Sequence, residues 1–226
     1  MAHCKRDPPG RFVMSSAKKR FYVVWEGSKP GVYSSWAECE SVTKGHPKAK
    51  YKAFPTEEAA ARAFQEGSEP YWGKDTFISP FSEAELVAIG EPVVESICVD
   101  AAWNTETKQM EYQGVWLKDK SLAFRQGPFE NATNNIGEFL ALVHALAMLS
   151  KKKPTYPIYS DSQTAIAWVR NKVVRSASMA KEQTSDQIND LVKRALTWLN
   201  ANEYTNEILK WETAAWGENP ADFGRK

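Results

Sequence analysis

The chain is poor in the residues that build many common sites. Only three cysteines occur among its 226 residues, Cys4, Cys39 and Cys98, and none stands at metal-ligand spacing from another. An odd, scattered set argues against a disulfide framework or a structural zinc site and fits reduced thiols in a cytoplasmic protein. Histidine is equally scarce: His3, His46 and His144 fall in three separate segments, a poor fit to a zinc hydrolase. No apolar run approaches the roughly eighteen residues of a membrane span, so no membrane partner is expected. The opening MAHCKRDPPGRFVMSSAKKR is basic but has no apolar core, unlike a secretory signal. Met14 offers an alternative start, and residues 1–17 are expected to form a flexible tail.

What is present is apolar material and an uneven charge. Hydrophobic residues make up 42% of the chain and nine are Trp, enough for a real core in one or two domains. The net charge of +1 hides an asymmetry: residues 1–66 hold 12 Lys and Arg against 7 Asp and Glu, while the remainder holds 17 against 21. A basic front on an acidic body suggests a polyanion-binding module beside a unit that uses carboxylates.

Periodicity divides the chain further. KKRFYVVWEG and GVYSSW read as a hairpin, SWAECESVTKG as a short helix capped by Ser35, KAKYKAF as a third strand and PTEEAAARAFQEG as a second helix. That β-β-α-β-α order predicts a small domain over residues 18–67. Residues 68–92 break the periodicity with Pro70, Pro80 and Pro92 and are expected to be a linker. From residue 93 to 226 a second domain is predicted, with strands VVESICVDAAW, EYQGVWLKD and SLAFRQGPF, the long helix NNIGEFLALVHALAMLSKK, and the short strand YPIYSD. Two further helices and the strand EILKWET complete an α/β unit with a mixed sheet.

Several carboxylates are candidates for chemistry. Asp100 and Asp161 each end an apolar strand, where functional groups gather but turn formers and caps also occur. Glu138 lies in the first turn of the long helix, a place that also suits simple dipole compensation. In WETAAWGENPAD, Asn219 and Pro220 read as the cap and first residue of a last short helix, with Asp222 as its third. Several carboxylates crowded together need a cation, and hard Mg²⁺ prefers oxygen ligands.

SICVDAAW, NNIGEFLALVHAL, YSDSQTAIAWV and LKWETAAWGENPADFGRK resemble, in order, the four acidic motifs of type 1 ribonuclease H. The likeness is to the bacterial branch with TNNxGEF and WGExxADxGRK motifs. It implies a mixed five-stranded sheet flanked by helices and an endonuclease that hydrolyses the RNA strand of RNA/DNA hybrids. The implied cofactor is two Mg²⁺ ions, with Mn²⁺ as a substitute, and the products carry 5′-phosphate and 3′-hydroxyl ends. By the resemblance, Asp100, Glu138, Asp161 and Asp222 are metal ligands, and Glu218 assists metal exchange and product release. Asn134 and Gln163 are expected on the RNA strand, and Thr133, Asn135, Trp168, Ser176 and Thr213 on the DNA strand and its phosphate. Three places depart from the branch: Ala177 replaces a pocket hydroxyl, AAWNTETKQMEYQG replaces a Gly-rich turn after Asp100, and Glu212 stands where that branch has Gln.

The front segment, FYVVWEGSKPGVYSSWAEC with AKYKAF and EEAAARAF, resembles the hybrid-binding domain found ahead of type 1 ribonucleases H. That likeness implies aromatic surfaces for DNA from Tyr22, Trp36 and Tyr51 and phosphate contacts from Lys50 and Lys52, with Ala53 where some relatives carry another lysine. The partner expected is an RNA/DNA hybrid, bound by a monomer. The alternatives are a catalytically weak hybrid-binding protein and another nuclease or integrase of the same superfamily.

Overall fold

The computed structural model describes residues 20–74, 76–104, 106–152, 155–175 and 185–224. The chain divides between Ser82 and Glu83 into two compact units.

In the first unit, strands β1 (Phe21–Glu26), β2 (Gly31–Tyr33) and β3 (Lys50–Phe54) form an antiparallel sheet in the order β2-β1-β3. Helix α1 (Trp36–Thr43) starts at Ser35, whose hydroxyl accepts the Glu38 N–H at 3.3 Å. Helix α2 (Glu57–Glu66) starts at Thr56, which accepts the Ala59 N–H at 3.2 Å. Each cap satisfies a helix N–H that would otherwise lack a partner. The small residues Ala59, Ala60 and Ala63 let α2 approach the sheet, where they join Val23 and Phe54 in one core. Trp25 packs there too and donates its indole N–H to the Ala63 carbonyl at 2.9 Å.

Residues 68–92, expected as a linker, contribute to both units. Tyr71 and Ile78 pack on the first core, with Tyr71 stacked on Trp25 at 6.0 Å. Helix α3 (Glu83–Ile89) belongs to the second unit. The chain that follows it is tied down by Trp216, which donates to the Gly90 carbonyl at 2.9 Å, and by Tyr159, whose hydroxyl accepts the Val93 N–H at 3.0 Å.

The second unit is built on a five-stranded mixed sheet in the order β6-β5-β4-β7-β8. Strands β4 (Ile97–Trp103), β5 (Gln109–Trp116) and β6 (Leu122–Glu130) form the antiparallel meander. Strands β7 (Ile158–Ser160) and β8 (Ile208–Lys210) add in parallel. Because side chains alternate along a strand, Ile97, Val99 and Ala101 face one core while Cys98 faces another.

The larger core is centred on helix α4 (Asn134–Lys152), with α5 (Gln163–Asn171) and α6 (Asp186–Ala201) packed beside it. Ile136, Phe139, Leu142, Leu146 and Leu149 are fully buried, each worth about 1.5–3 kcal/mol. His144 is part of this packing, stacked on Phe124 at 4.0 Å. The smaller core joins Cys98, Val115, Leu117, Tyr159, Trp211 and Ala221, with α7 (Thr213–Trp216) beside it through Trp216. Among the described residues, no helix is long and apolar enough to cross a membrane.

Candidate metal centre and nucleic-acid face

Three carboxylates converge where the middle of β4, the end of β7 and the start of α4 meet, so Asp100, expected to end its strand, lies within it. Strands β4 and β7 run parallel with Cys98 opposite Tyr159, so two steps further the register sets Asp100 opposite Asp161. Glu138 arrives from α4, and the close seating of that helix depends on the residue before it. A Cβ on Gly137 would lie 2.7 Å from the Ala101 Cβ and 2.6 Å from the Met110 Sδ, so only glycine lets the helix start press on the sheet. One carboxylate oxygen from each of Asp100, Glu138 and Asp161 lies within 4.8 Å of the other two.

The electrostatics of this cluster are unfavourable to the bare protein. Asp100 and Glu138 are each only 8% exposed, whereas Asp161 is exposed. Burial, then the charge of Asp161, pushes Asp100 up to about 8, with smaller contributions from Glu138 and Asp222. Burial likewise raises Glu138 to about 7, partly offset by the Ser162 hydroxyl. Asn134 donates to Glu138 Oε1 at 2.9 Å, but the buried Oε2 has no hydrogen-bond partner among the described residues. The ion pairs of the described residues involve none of these three acids. Burying an uncompensated carboxylate costs several kcal/mol, comparable to the gain from two or three of the apolar side chains in α4. The donor set and the orphaned oxygen fit a divalent cation with oxygen ligands.

Asp222 stands outside the group of three. It is exposed, and its Oδ1 accepts the Gly224 N–H at 2.6 Å. The last short helix expected from Asn219 and Pro220 does not form: Asp222 N–H to Asn219 O at 2.8 Å closes a single turn. So short a segment cannot meet the cost of helix nucleation, and side-chain hydrogen bonds between it and the sheet hold it instead. Asn219 donates to the Val99 carbonyl at 3.0 Å, and Gln113 donates to the Ala221 carbonyl at 2.7 Å. Sequence reasoning missed Gln113 because no motif marks it; only the cross-strand register, Asp100 opposite Gln113, reveals its place. Glu218 is exposed in the segment leading to this turn, and Glu212 takes the N-cap position of α7 without a side-chain capping bond.

The expected substrate residues divide. Thr133 caps α4, its hydroxyl accepting the Ile136 N–H at 3.4 Å, and Asn134 and Asn135 are exposed in the first turn. Gln163 is exposed at the start of α5, and Thr213 is half-buried at the start of α7. Trp168, expected against a DNA sugar, is 5% exposed and packs on Phe139, so the structure assigns it to the core. The α5 face pattern that buries Ala165, Ile166 and Val169 carries it inward. Ser176 and Ala177 lie outside the described residues.

In the first unit, Tyr22, Trp36 and Tyr51 form one aromatic cluster. Trp36 sits 5.6 Å from each tyrosine ring and remains 44% exposed. The two lysines do not join it. Strand alternation puts Tyr51 on one face of β3 and Lys50 and Lys52 on the other. Lys50 Nζ is 2.6 Å from Glu26, and Lys52 Nζ donates to the carbonyls of Tyr71 at 3.2 Å and Lys74 at 2.8 Å.

Fold and site together define an α/β protein whose mixed sheet carries an acidic cluster beside its adjacent parallel strands β4 and β7. Residues 94–213, over half of the chain, match the family model described as RNase H, and the chain belongs to the RNase H family. Residues 20–64 match the Ribonuclease H1 N-terminal domain. Glu218 and Asp222 lie beyond the first of these matches. A "Ribonuclease H" from Crithidia fasciculata is 36% identical over 80 residues, which cover 35% of this chain and 16% of that protein. The "Transactivator/viroplasmin protein" of Cestrum yellow leaf curling virus is 28% identical over 65 residues, 29% of this chain and 12% of that protein. The chain thus spans less than a fifth of the length of either relative. Among solved structures, RNase H1 from the halophilic archaeon Halobacterium salinarum NRC-1 matches with a TM-score of 0.34 and 19% identity, covering 51% of this chain and 83% of that one. The N-terminal RNase H domain of rv2228c from Mycobacterium tuberculosis, solved as a fusion with maltose binding protein, matches with a TM-score of 0.33 and 13% identity, covering 51% of this chain and 86% of that one.

Proposed function

We propose that the chain is an endonuclease that hydrolyses the RNA strand of RNA/DNA hybrids, leaving 5′-phosphate and 3′-hydroxyl ends, and that it works with two Mg²⁺ ions for which Mn²⁺ can substitute. The observation that carries this reading is the acidic cluster of Asp100, Glu138 and Asp161, within 4.8 Å and with no ion-pair partner among the described residues, in a chain of the RNase H family. When bound, such ions supply Lewis-acid stabilisation of the charge that develops on the phosphoryl oxygens and activate the attacking water.

The residues of the chain do the holding and the orienting. Asp100 and Glu138 are the buried ligands, Asp161 is the ligand that faces solvent, and Asp222 is the fourth. Asn134 orients the Glu138 carboxylate through its 2.9 Å hydrogen bond. Exposed Asn134, Asn135 and Gln163 are suited to read sugar hydroxyls and phosphates, and the free N–H groups at the start of α4 favour an anionic strand. Glu218, exposed in the segment before Asp222, assists exchange of the ions. The N-terminal unit binds the hybrid through Tyr22, Trp36 and Tyr51, which offer stacking surfaces that do not depend on sequence. We place the protein in the cytoplasm, in keeping with two buried free thiols, Cys39 and Cys98.

The test is a substrate panel. A strand-labelled RNA/DNA hybrid, duplex DNA and duplex RNA are each incubated with Mg²⁺ or with EDTA. Cleavage confined to the RNA strand of the hybrid, and only with Mg²⁺, is the expected result. Binding of the hybrid without cleavage would replace the reading with that of a binding protein, and cleavage of duplex DNA would move it to another nuclease class.

A further inference from the structure

We infer that Asn219 and Gln113 are positioning residues that hold Asp222 beside Asp100, an inference that rests on the proposed role of Asp222 as a metal ligand. The backbone around Asp222 has no regular structure of its own: it is one turn, closed by a single 2.8 Å hydrogen bond. Asp222 is exposed and not in contact range of all three clustered acids. Something other than local helix formation must therefore determine where its carboxylate stands.

Two buried amides supply that restraint, and both connect the neighbours of one acid to the neighbours of the other. Asn219, 4% exposed, uses both ends of its side chain. Its Oδ1 accepts the Ala221 N–H at 2.9 Å, shaping the turn, and its Nδ2 donates at 3.0 Å to the carbonyl of Val99, the residue before Asp100. Gln113 is 8% exposed and stands opposite Asp100 in the β4–β5 register. Its Nε2 donates at 2.7 Å to the carbonyl of Ala221, the residue before Asp222. Ala221 itself is fully buried in the smaller core, so the turn is seated on the sheet at its middle. On the far side of Asp222, the Arg125 guanidinium lies 4.9 Å from the centre of the Phe223 ring and is held by Glu111 at 2.9 Å. The acid is thus bracketed by anchors on both sides, while its carboxylate, whose Oδ1 accepts the Gly224 N–H, remains exposed. Buried amides with satisfied hydrogen bonds impose direction as well as distance, which apolar packing of the same size cannot do.

The experiment compares Asn219→Ser, Gln113→Leu and Asp222→Asn in the full chain. Serine at 219 can still accept the Ala221 N–H but cannot reach Val99, and leucine at 113 keeps the volume without the donor. Mg²⁺ affinity is measured by calorimetry and by the Mg²⁺ dependence of hybrid cleavage, with thermal unfolding in EDTA as the check on folding. Each positioning variant is expected to weaken Mg²⁺ affinity about tenfold, as loss of one buried hydrogen bond allows. Its kcat should recover at saturating Mg²⁺, and its KM for the hybrid should not change. In the Asp222→Asn background neither substitution should weaken Mg²⁺ binding further, because both act through that carboxylate. Wild-type Mg²⁺ affinity in both positioning variants, or an equal loss in the Asp222→Asn background, would overturn the inference and leave the ligand role of Asp222 standing. Unchanged Mg²⁺ affinity in Asp222→Asn itself would remove that ligand role and the inference with it.

Discussion

The aromatic face of the N-terminal unit and the acidic cluster of the C-terminal unit are opposite ways of building a site. In the first, Trp36, Tyr22 and Tyr51 support one another, and both lysines of β3 have partners within their own unit: Lys50 the Glu26 carboxylate, Lys52 two carbonyls. The aromatic and lysine side chains named here thus have their partners within the unit and need no ligand to stand as they do. In the second, two buried carboxylates and an exposed one repel each other, and one buried oxygen has no partner among the described residues. That site is stable only at a cost that an external cation would offset. Under the proposed function the contrast separates two jobs. Holding the hybrid should be insensitive to divalent ions, and cutting it should depend on them wholly.

The largest effect expected is on cutting alone. Asp161→Asn removes one acid from the cluster and should lower Mg²⁺-dependent cleavage about a thousandfold or more, since several kcal/mol of transition-state stabilisation are lost. Hybrid affinity in a gel-shift assay should stay near wild type; normal turnover would break the two-ion reading. Next in size is an effect on holding alone. Trp36→Ala should weaken hybrid binding by about five- to a hundredfold, the range for one stacking contact, while cleavage of short substrates survives. In the same assay Glu26→Gln, which releases Lys50, should change affinity by no more than about fivefold, as befits an exposed ion pair. A larger loss on Glu26→Gln than on Trp36→Ala would make charge, and not the aromatic cluster, the basis of holding.

The smallest effect concerns stability and pH. Asp100 and Glu138 keep their protons to about 8 and about 7 in the fold, against ordinary values of 3.8 and 4.5. The folded chain therefore binds more protons than the unfolded chain between those limits, and metal-free protein should lose stability as pH rises from about 4 to about 8. Mg²⁺ competes with those protons, so its stabilising effect should grow over the same window. Melting temperatures measured in EDTA and in Mg²⁺ across this range check both statements, and a flat EDTA profile would mean that the cluster is not strained.

Much of this was legible in the chain itself, and the gaps have identifiable causes. Period-two runs and capping residues such as Ser35 and Thr56 act within a few residues of themselves, so strands, helices and their order could be read from neighbours along the chain. Asp161 could be singled out for the same reason, as an acid just past an apolar strand, and Asp100 as the acid after an apolar run, although β4 itself runs on to Trp103. The region 68–92 was harder, because prolines mark broken periodicity but not what a broken segment packs on; Trp25 and Trp216 decided that from elsewhere in the chain. Lys50 and Lys52 look like companions of Tyr51 in KYK, yet adjacent residues of a strand point to opposite faces. Trp168 shows the limit from the other side: the family resemblance set it against DNA, and only the burial of its helix face assigns it to the core.

Local patterning by itself determined the elements and the acidic candidates, because hydrogen bonding and burial repeat at short periods, and four short motifs carried the resemblance to a family. Only the tertiary structure decided which acids share a site and what steers them. The parallel register of β4 and β7 sets Asp100 opposite Asp161, Gly137 lets Glu138 in, and Gln113 reaches a carbonyl 108 residues away. Such contacts join positions that no local period relates, and they exist only once the sheet has closed.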